Sequence, residues 1–140
     1  MVKGLVCAAA ALTVSVVFSL DRPVGVFDSG TGGLTVLEKL LTVDEFDNAT
    51  GERRSDGRPD LASENFVYFG DTKHIPYGDK PPEMVFQYTH DAIERLVNLG
   101  CKAIVIACNT ATAAAVQQVR NAYPDLVVIG IEPALKLAAD

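Results

Sequence analysis

Short apolar runs alternate with amphipathic stretches along the chain from residue 23 onward. The apolar runs predict four strands, which lie at 23–27, 66–69, 103–107 and 126–131. Apolar residues that recur with helical spacing predict helices between them, at about 34–41, 82–99 and 110–122, with a further helix from Pro133. Pro82 suits a first helical turn, and Gly100 is a typical residue beyond a helix end.

Strands that alternate with helices indicate an α/β fold. Right-handed crossovers then produce a parallel sheet with helices on both faces. Ligands in such sheets bind at the carboxyl ends of the strands. The polar stretch from about 43 to 63 interrupts the alternation and predicts a long surface loop.

The N-terminus, from Leu5 to Leu20, is an uncharged apolar run that follows a single lysine. It is shorter than the about 20 residues that a membrane-spanning helix needs. Two interpretations of residues 1–21 stay open: a secretory signal peptide cleaved after Ser19, or a non-native extension from a wrongly assigned start codon. On either interpretation, the folded domain is expected to occupy residues 22–140 and to begin near Arg22.

Composition narrows the possible functions. The chain is 49% hydrophobic and 21% charged, which is within the globular range. Its net charge of -6 argues against a nucleic-acid partner, for which a basic surface is expected. The three cysteines form neither a disulfide framework nor a zinc motif, and His74 and His90 have no ligand-like spacing with them. A metal site is therefore not predicted.

Chemically useful residues follow three of the predicted strands. Cys108 stands where a buried strand meets a helix N-terminus, with Asn109 or Thr110 available as the cap, so the helix dipole favours its thiolate. An inert buried cysteine is the alternative, and it is the preferred interpretation of Cys101. The glycine-rich turn at 28–33 can hold a carboxylate with backbone N–H groups, but it is neither a P-loop nor a dinucleotide motif. Asp28 in this turn is a candidate to hold an ammonium group or to orient the thiol.

Four segments resemble, in order, the motifs of glutamate racemases in the aspartate/glutamate racemase family. They are Gly25–Leu34 (GVFDSGTGGL), Tyr68–Thr72 with Pro76–Gly78 (YFGDT and PYG), Ala107–Ala111 (ACNTA) and Ile129–Pro133 (IGIEP). The resemblance implies the first of two similar α/β domains and a cofactor-independent interconversion of L- and D-glutamate. It also implies a supply of D-glutamate for peptidoglycan and a cytoplasmic location, while the signal-like N-terminus leaves secretion or membrane anchoring open.

The resemblance also implies roles for individual residues. Cys108 matches the first catalytic cysteine, which acts on the face of D-glutamate, and Asp28 is placed to assist it. The residues that match substrate contacts are Asp28, Ser29, Tyr77, Gly78, Asn109 and Thr110. No pyridoxal phosphate or metal is implied.

The family's second cysteine belongs to a Cys-Thr-His element in a second domain, and no such element follows residue 110 here. Inversion of an α-carbon needs a base on one face and an acid on the other. We therefore expect the N-terminal half of a longer protein, an inactive truncated product, or a chain completed by another chain, such as a second copy. A non-catalytic glutamate-binding domain is the main rival function. A redox or thiol-transfer domain is a weaker one, because no resolving cysteine lies near Cys108.

Overall fold

The structure, a computed structural model, describes residues 6–8 and 22–131. Its strands are β1 (Val6–Ala8), β2 (Val24–Asp28), β3 (Phe66–Gly70), β4 (Ala103–Ile106) and β5 (Val127–Gly130). Its helices are α1 (Leu34–Thr42), α2 (Pro82–Asn98) and α3 (Asn109–Ala122). Four strands and three helices are thus confirmed within one or two residues of their predicted ends. The helix predicted from Pro133 and most of the apolar leader lie outside the described residues.

All strand pairs in the sheet are parallel, in the order β1-β3-β2-β4-β5. The chain leaves β2 for β3 on one side and then crosses to β4 on the other side of β2. This reversal creates a crevice between the carboxyl ends of β2 and β4, which is where open α/β sheets bind their ligands. The α/β prediction is confirmed, and the crevice fixes where the functional residues should be sought.

The two faces of the sheet carry different helices. Alternate residues of a strand point to opposite faces, so Val26 packs with Leu37 of α1, whereas its neighbour Phe27 packs on the other side. Phe27 belongs to the larger apolar cluster, which includes Ile93 of α2 and Ala115 of α3. Helices on both faces are therefore confirmed, with α1 on one face and α2 and α3 on the other.

Helix α2 begins and ends as its sequence predicts. Pro82 is its first residue, where the missing N–H costs no hydrogen bond. Gly100 follows the helix with a φ of 85°, a left-handed conformation that glycine adopts without steric cost. The N–H of Gly100 donates to the carbonyl of Val97, and that of Cys101 to the carbonyl of Leu96, which completes a Schellman motif.

Strand β1 has no counterpart in the sequence-based prediction. Val6 pairs with Val67 and Ala8 with Phe69, so β1 extends the sheet beyond β3. Residues 5–12 are apolar throughout, without turn residues or alternation, and therefore nothing in their pattern marks a three-residue strand. In the part of the chain that the structure describes, no helix is both long and apolar enough to cross a membrane.

The polar stretch between α1 and β3 forms a loop without helix or strand, as predicted. Aspartate side chains organise it by accepting backbone hydrogen bonds. Asp44 accepts from the N–H groups of Asp56 and Gly57, and Asp60 accepts from those of Glu45 and Phe46. The loop is therefore held by its own polar groups, a common use of aspartate in turns.

Candidate active site

Cys108 is the N-cap residue of α3. Its backbone is extended, with φ of -101° and ψ of 119°, and its Sγ accepts a hydrogen bond from the N–H of Ala111 at 3.4 Å. The prediction that Asn109 or Thr110 caps the helix is therefore wrong. The helix begins at Asn109, so the cap position falls one residue earlier, and Asn109 and Thr110 lie exposed in the first turn. The sulfur therefore lies at a helix N-terminus, with a backbone N–H group as its donor.

Ser29 is the side chain that contacts the thiol. The Sγ of Cys108 donates to the Oγ of Ser29 at 3.3 Å, which joins the N-cap of α3 to the residue after β2. This contact lies at the crevice between the two strands, where the fold places ligands. The sequence-based prediction that these two residues share a site is consistent with this geometry.

Asp28 holds the glycine-rich turn together. Its Oδ2 accepts from the N–H groups of Gly30 at 3.1 Å and Gly33 at 3.0 Å. Gly33 has no room for a side chain, because a Cβ there would lie 2.7 Å from the Cβ of Asp28. The carboxylate is buried and holds the turn that leads into α1. Its predicted roles toward thiol and substrate stay predictions.

The end of β3 closely approaches the same turn. A Cβ at Gly70 would lie 2.4 Å from the carbonyl oxygen of Gly30, so only glycine fits there. The hydroxyl of Tyr68 donates to that carbonyl at 2.9 Å, and the N–H of Asp71 donates to the carbonyl of Asp28 at 2.9 Å. These contacts bring the residues after β2 and β3 to one edge.

A carboxylate network follows β3. Asp71 Oδ2 accepts from the hydroxyl of Tyr77 at 2.7 Å and also lies 2.7 Å from Nδ1 of His74. The sequence placed Asp71 directly after a buried strand but predicted neither of these two contacts. Burial first, and then the hydrogen bond to Asp71, raise the pKa of Tyr77 well above its usual range. Gly78, next to Tyr77, is exposed at the same edge.

Cys101 is a core residue, as its sequence position indicates. It is fully buried, and this burial raises the pKa of its thiol to about 11. At pH 8, such a thiol is ionised in only about one part in a thousand molecules. We therefore expect Cys101 to be unreactive in the folded protein. Within residues 6–8 and 22–131, no group of His, Cys, Asp and Glu side chains is arranged to hold a metal ion.

The two thiols are expected to differ in reactivity. Iodoacetamide at pH 8 should alkylate Cys108 at least about ten times faster than Cys101, because only the thiolate reacts and Cys101 is both neutral and inaccessible. Trypsin cleavage at Lys102 separates the two cysteines, so peptide mass spectrometry can follow each rate. Unfolding in denaturant is the control and should make the rates similar. Equal rates in native buffer would contradict this assignment.

Comparison with known proteins gives relatives of one kind. No protein-family model matches the chain. A glutamate racemase from Clostridium perfringens is 47% identical over 118 residues, which are 84% of this chain and 39% of that protein. Glutamate racemase from Thermus thermophilus, solved with β-chloro-D-alanine, matches with a TM-score of 0.61 at 39% identity, over 78% of this chain and 36% of its own.

A second solved structure agrees with the first. Glutamate racemase from Francisella tularensis, in complex with D-glutamate, has a TM-score of 0.61 and 35% identity, over 78% of this chain and 35% of its own. This chain thus spans only about 39% of the length of the curated relative that it matches. Over 84% of its own length, the chain belongs to the glutamate racemase family and corresponds to part of those longer proteins.

Proposed function

We propose that this chain carries one half of the active site of a cofactor-independent glutamate racemase, in which Cys108 transfers the α-proton. The observation that carries the proposal is the position of the Cys108 sulfur. It caps α3 and contacts Ser29 at the crevice between β2 and β4, in a chain homologous to glutamate racemases. The similarity to glutamate racemases suggests glutamate as the substrate, and the thiol of Cys108 is the proposed base.

The reaction starts with Cys108 as a thiolate. The sulfur takes the α-proton of D-glutamate, and the electron pair of the C–H bond stays on the α-carbon as a carbanion. Helix N-termini and backbone N–H groups at the crevice favour negative charge, which lowers the cost of that carbanion. An acid on the opposite face then delivers a proton, and the product is L-glutamate.

Substrate binding is assigned to the polar groups at the same edge. Ser29, Gly78, Asn109 and Thr110 are each at least partly exposed there and can meet the two carboxylates and the amino group. The hydroxyl of Tyr77 is already bonded to Asp71, so we assign the substrate contact of Tyr77 to its backbone. One oxygen of Asp28 caps the glycine-rich turn, and the other is assigned to the substrate ammonium group.

The acid or base on the face of the substrate opposite Cys108 is expected from another domain or another chain. A Cys-Thr-His element in a second domain of a longer protein is the source that we propose, and a second copy of this chain is the alternative. The assembled enzyme would supply D-glutamate for peptidoglycan in the cytoplasm. Neither a cofactor nor a metal has a part in the proposed mechanism.

The test is deuterium incorporation at the α-carbon in D₂O, followed by NMR on D- and L-glutamate separately. We expect the chain to exchange the α-proton of D-glutamate with retention of configuration, because one base can remove a proton and return a deuteron to the same face. Calorimetric titration with D-glutamate accompanies it. Binding without exchange would replace this proposal by a non-catalytic glutamate-binding domain. A folded chain that neither binds nor exchanges glutamate would refute both.

A further inference from the structure

We propose that His74 is a positioning residue of this active site. Through the carboxylate of Asp71, it fixes the hydroxyl of Tyr77 and with it the segment 76–78 beside Cys108. The inference rests on the proposed function for its effect on glutamate. Its effect on the thiol of Cys108 can be measured whatever the substrate is.

The chemistry of the three side chains shows which groups in the network donate hydrogen bonds and which accept them. Nδ1 of His74 lies 2.9 Å from Oδ1 and 2.7 Å from Oδ2 of Asp71. A carboxylate only accepts hydrogen bonds, so Nδ1 carries the proton in this pair. Tyr77 donates its hydroxyl to the same Oδ2 at 2.7 Å. Asp71 is thus held by two donors from its own loop.

The imidazole is fixed from its face as well as from its edge. The ring of His74 stacks on Tyr88 of α2, with centroids 4.0 Å apart and planes 11° from parallel. Tyr88 lies in turn 6.0 Å from the ring of Tyr77, which packs 6.3 Å from Phe27 at the end of β2. The side chain of His74 is only 30% exposed, although it sits on a loop. These contacts hold the loop against the core helix.

The network reaches the thiol through Tyr77. Tyr77 and Cys108 are both buried and belong to the same apolar cluster. A negative charge on Cys108 would help to raise the pKa of Tyr77, so the two groups lie within electrostatic reach of each other. Loss of the imidazole would leave the nearly buried carboxylate of Asp71 with one donor fewer, a loss that destabilises its present position. Tyr77 would then be free to move away from the sulfur.

The experiment compares three variants of the full chain. His74→Ala removes the hydrogen bond and the stacking. His74→Asn is the rescue variant, because its amide nitrogen can take the place of Nδ1. His90→Asn is the matched control, since His90 contacts Phe86 and Tyr123 instead of the loop. The readouts are the alkylation rate of Cys108, that of Cys101, and the Kd for D-glutamate.

We expect His74→Ala to speed alkylation of Cys108 at least about threefold. It should also weaken glutamate binding about tenfold, which in free energy corresponds to one charge-assisted hydrogen bond. Alkylation of Cys101 should not change, because the protein as a whole does not open. His74→Asn should restore both values to within about twofold of the original, and His90→Asn should leave them unchanged.

Two results would overturn the inference. One is that His74→Ala leaves the alkylation of Cys108 unchanged. The other is that Cys101 accelerates in parallel, which would make the effect global destabilisation. If His74→Ala does not fold, the comparison of His74→Asn with Tyr77→Phe decides. In His74→Asn, the alkylation rate of Cys108 should be close to that of the original chain. In Tyr77→Phe, it should be higher. Failure of the original chain to bind glutamate would refute the proposed function but leave the alkylation test intact.

Discussion

Replacement of Cys108 by alanine is expected to slow deuterium incorporation into D-glutamate by about 10²- to 10⁴-fold, the usual loss when a general base is removed. The sulfur is the group that receives the α-proton in the proposed reaction, and it is the side chain that caps α3 and contacts Ser29. The measurement is the rate of loss of the α-proton NMR signal in D₂O at matched protein concentrations.

Two companion variants separate the roles of the sulfur. Cys108→Ser keeps an N-cap acceptor for the Ala111 N–H, so α3 should stay intact, but its hydroxyl is a much weaker acid and exchange should still be lost. Cys101→Ala removes the other described buried thiol and should keep exchange within a few-fold, about the effect of a change remote from the site. Exchange that survives in Cys108→Ala would remove Cys108 from the mechanism.

Replacement of Phe27 by alanine should give the largest loss of stability, about 3–5 kcal/mol in the free energy of unfolding. Phe27 is 0% exposed at the centre of the sheet, and its ring lies 6.3 Å from both Phe69 and Tyr77. Truncation leaves a cavity that a parallel sheet between packed helices cannot fill by collapse. Chemical denaturation followed by circular dichroism provides the free energy.

The matched control is Phe46→Ala, which removes the same side chain from the polar loop. Phe46 is 45% exposed, so its loss should change the free energy of unfolding by no more than about 0.5 kcal/mol. A similar loss for both variants would contradict the assignment of Phe27 to the core. A small loss for Phe27→Ala alone would do the same.

Most of the fold was predictable because local patterns and global packing agree. The run at 103–107 is apolar throughout, and β4 is indeed covered on both faces. The run at 126–131 has the same pattern. In β5, however, Val127 and Ile129 are 58% and 51% exposed. Periodicity cannot show whether a strand lies at the edge, since this depends on the order of strands in the sheet.

The position of the candidate site follows from the order of strands and polar residues in the sequence, but the contacts within it do not. The rule that ligands bind at the carboxyl ends of strands pointed to Cys108, Asp28 and Ser29 from sequence. It did not show that Ser29 contacts the sulfur while Asp28 caps the turn, because such choices depend on distances of a few tenths of an ångström. The stacking of His74 was not predicted because its partner Tyr88 lies 14 residues away, on α2.

Cys108 is both the proposed proton-transfer residue and the N-cap of α3, so its protonation in that reaction would also affect the backbone. A thiolate accepts the Ala111 N–H well, whereas a sulfur that has just gained a proton is a poorer acceptor. Each proton transfer to Cys108 would therefore weaken one end of a helix packed into the core, and each return would restore it. In the proposed reaction, the hydrogen bond at the start of α3 would therefore be re-formed each time that Cys108 gives up its proton, so the site and the helix would change together.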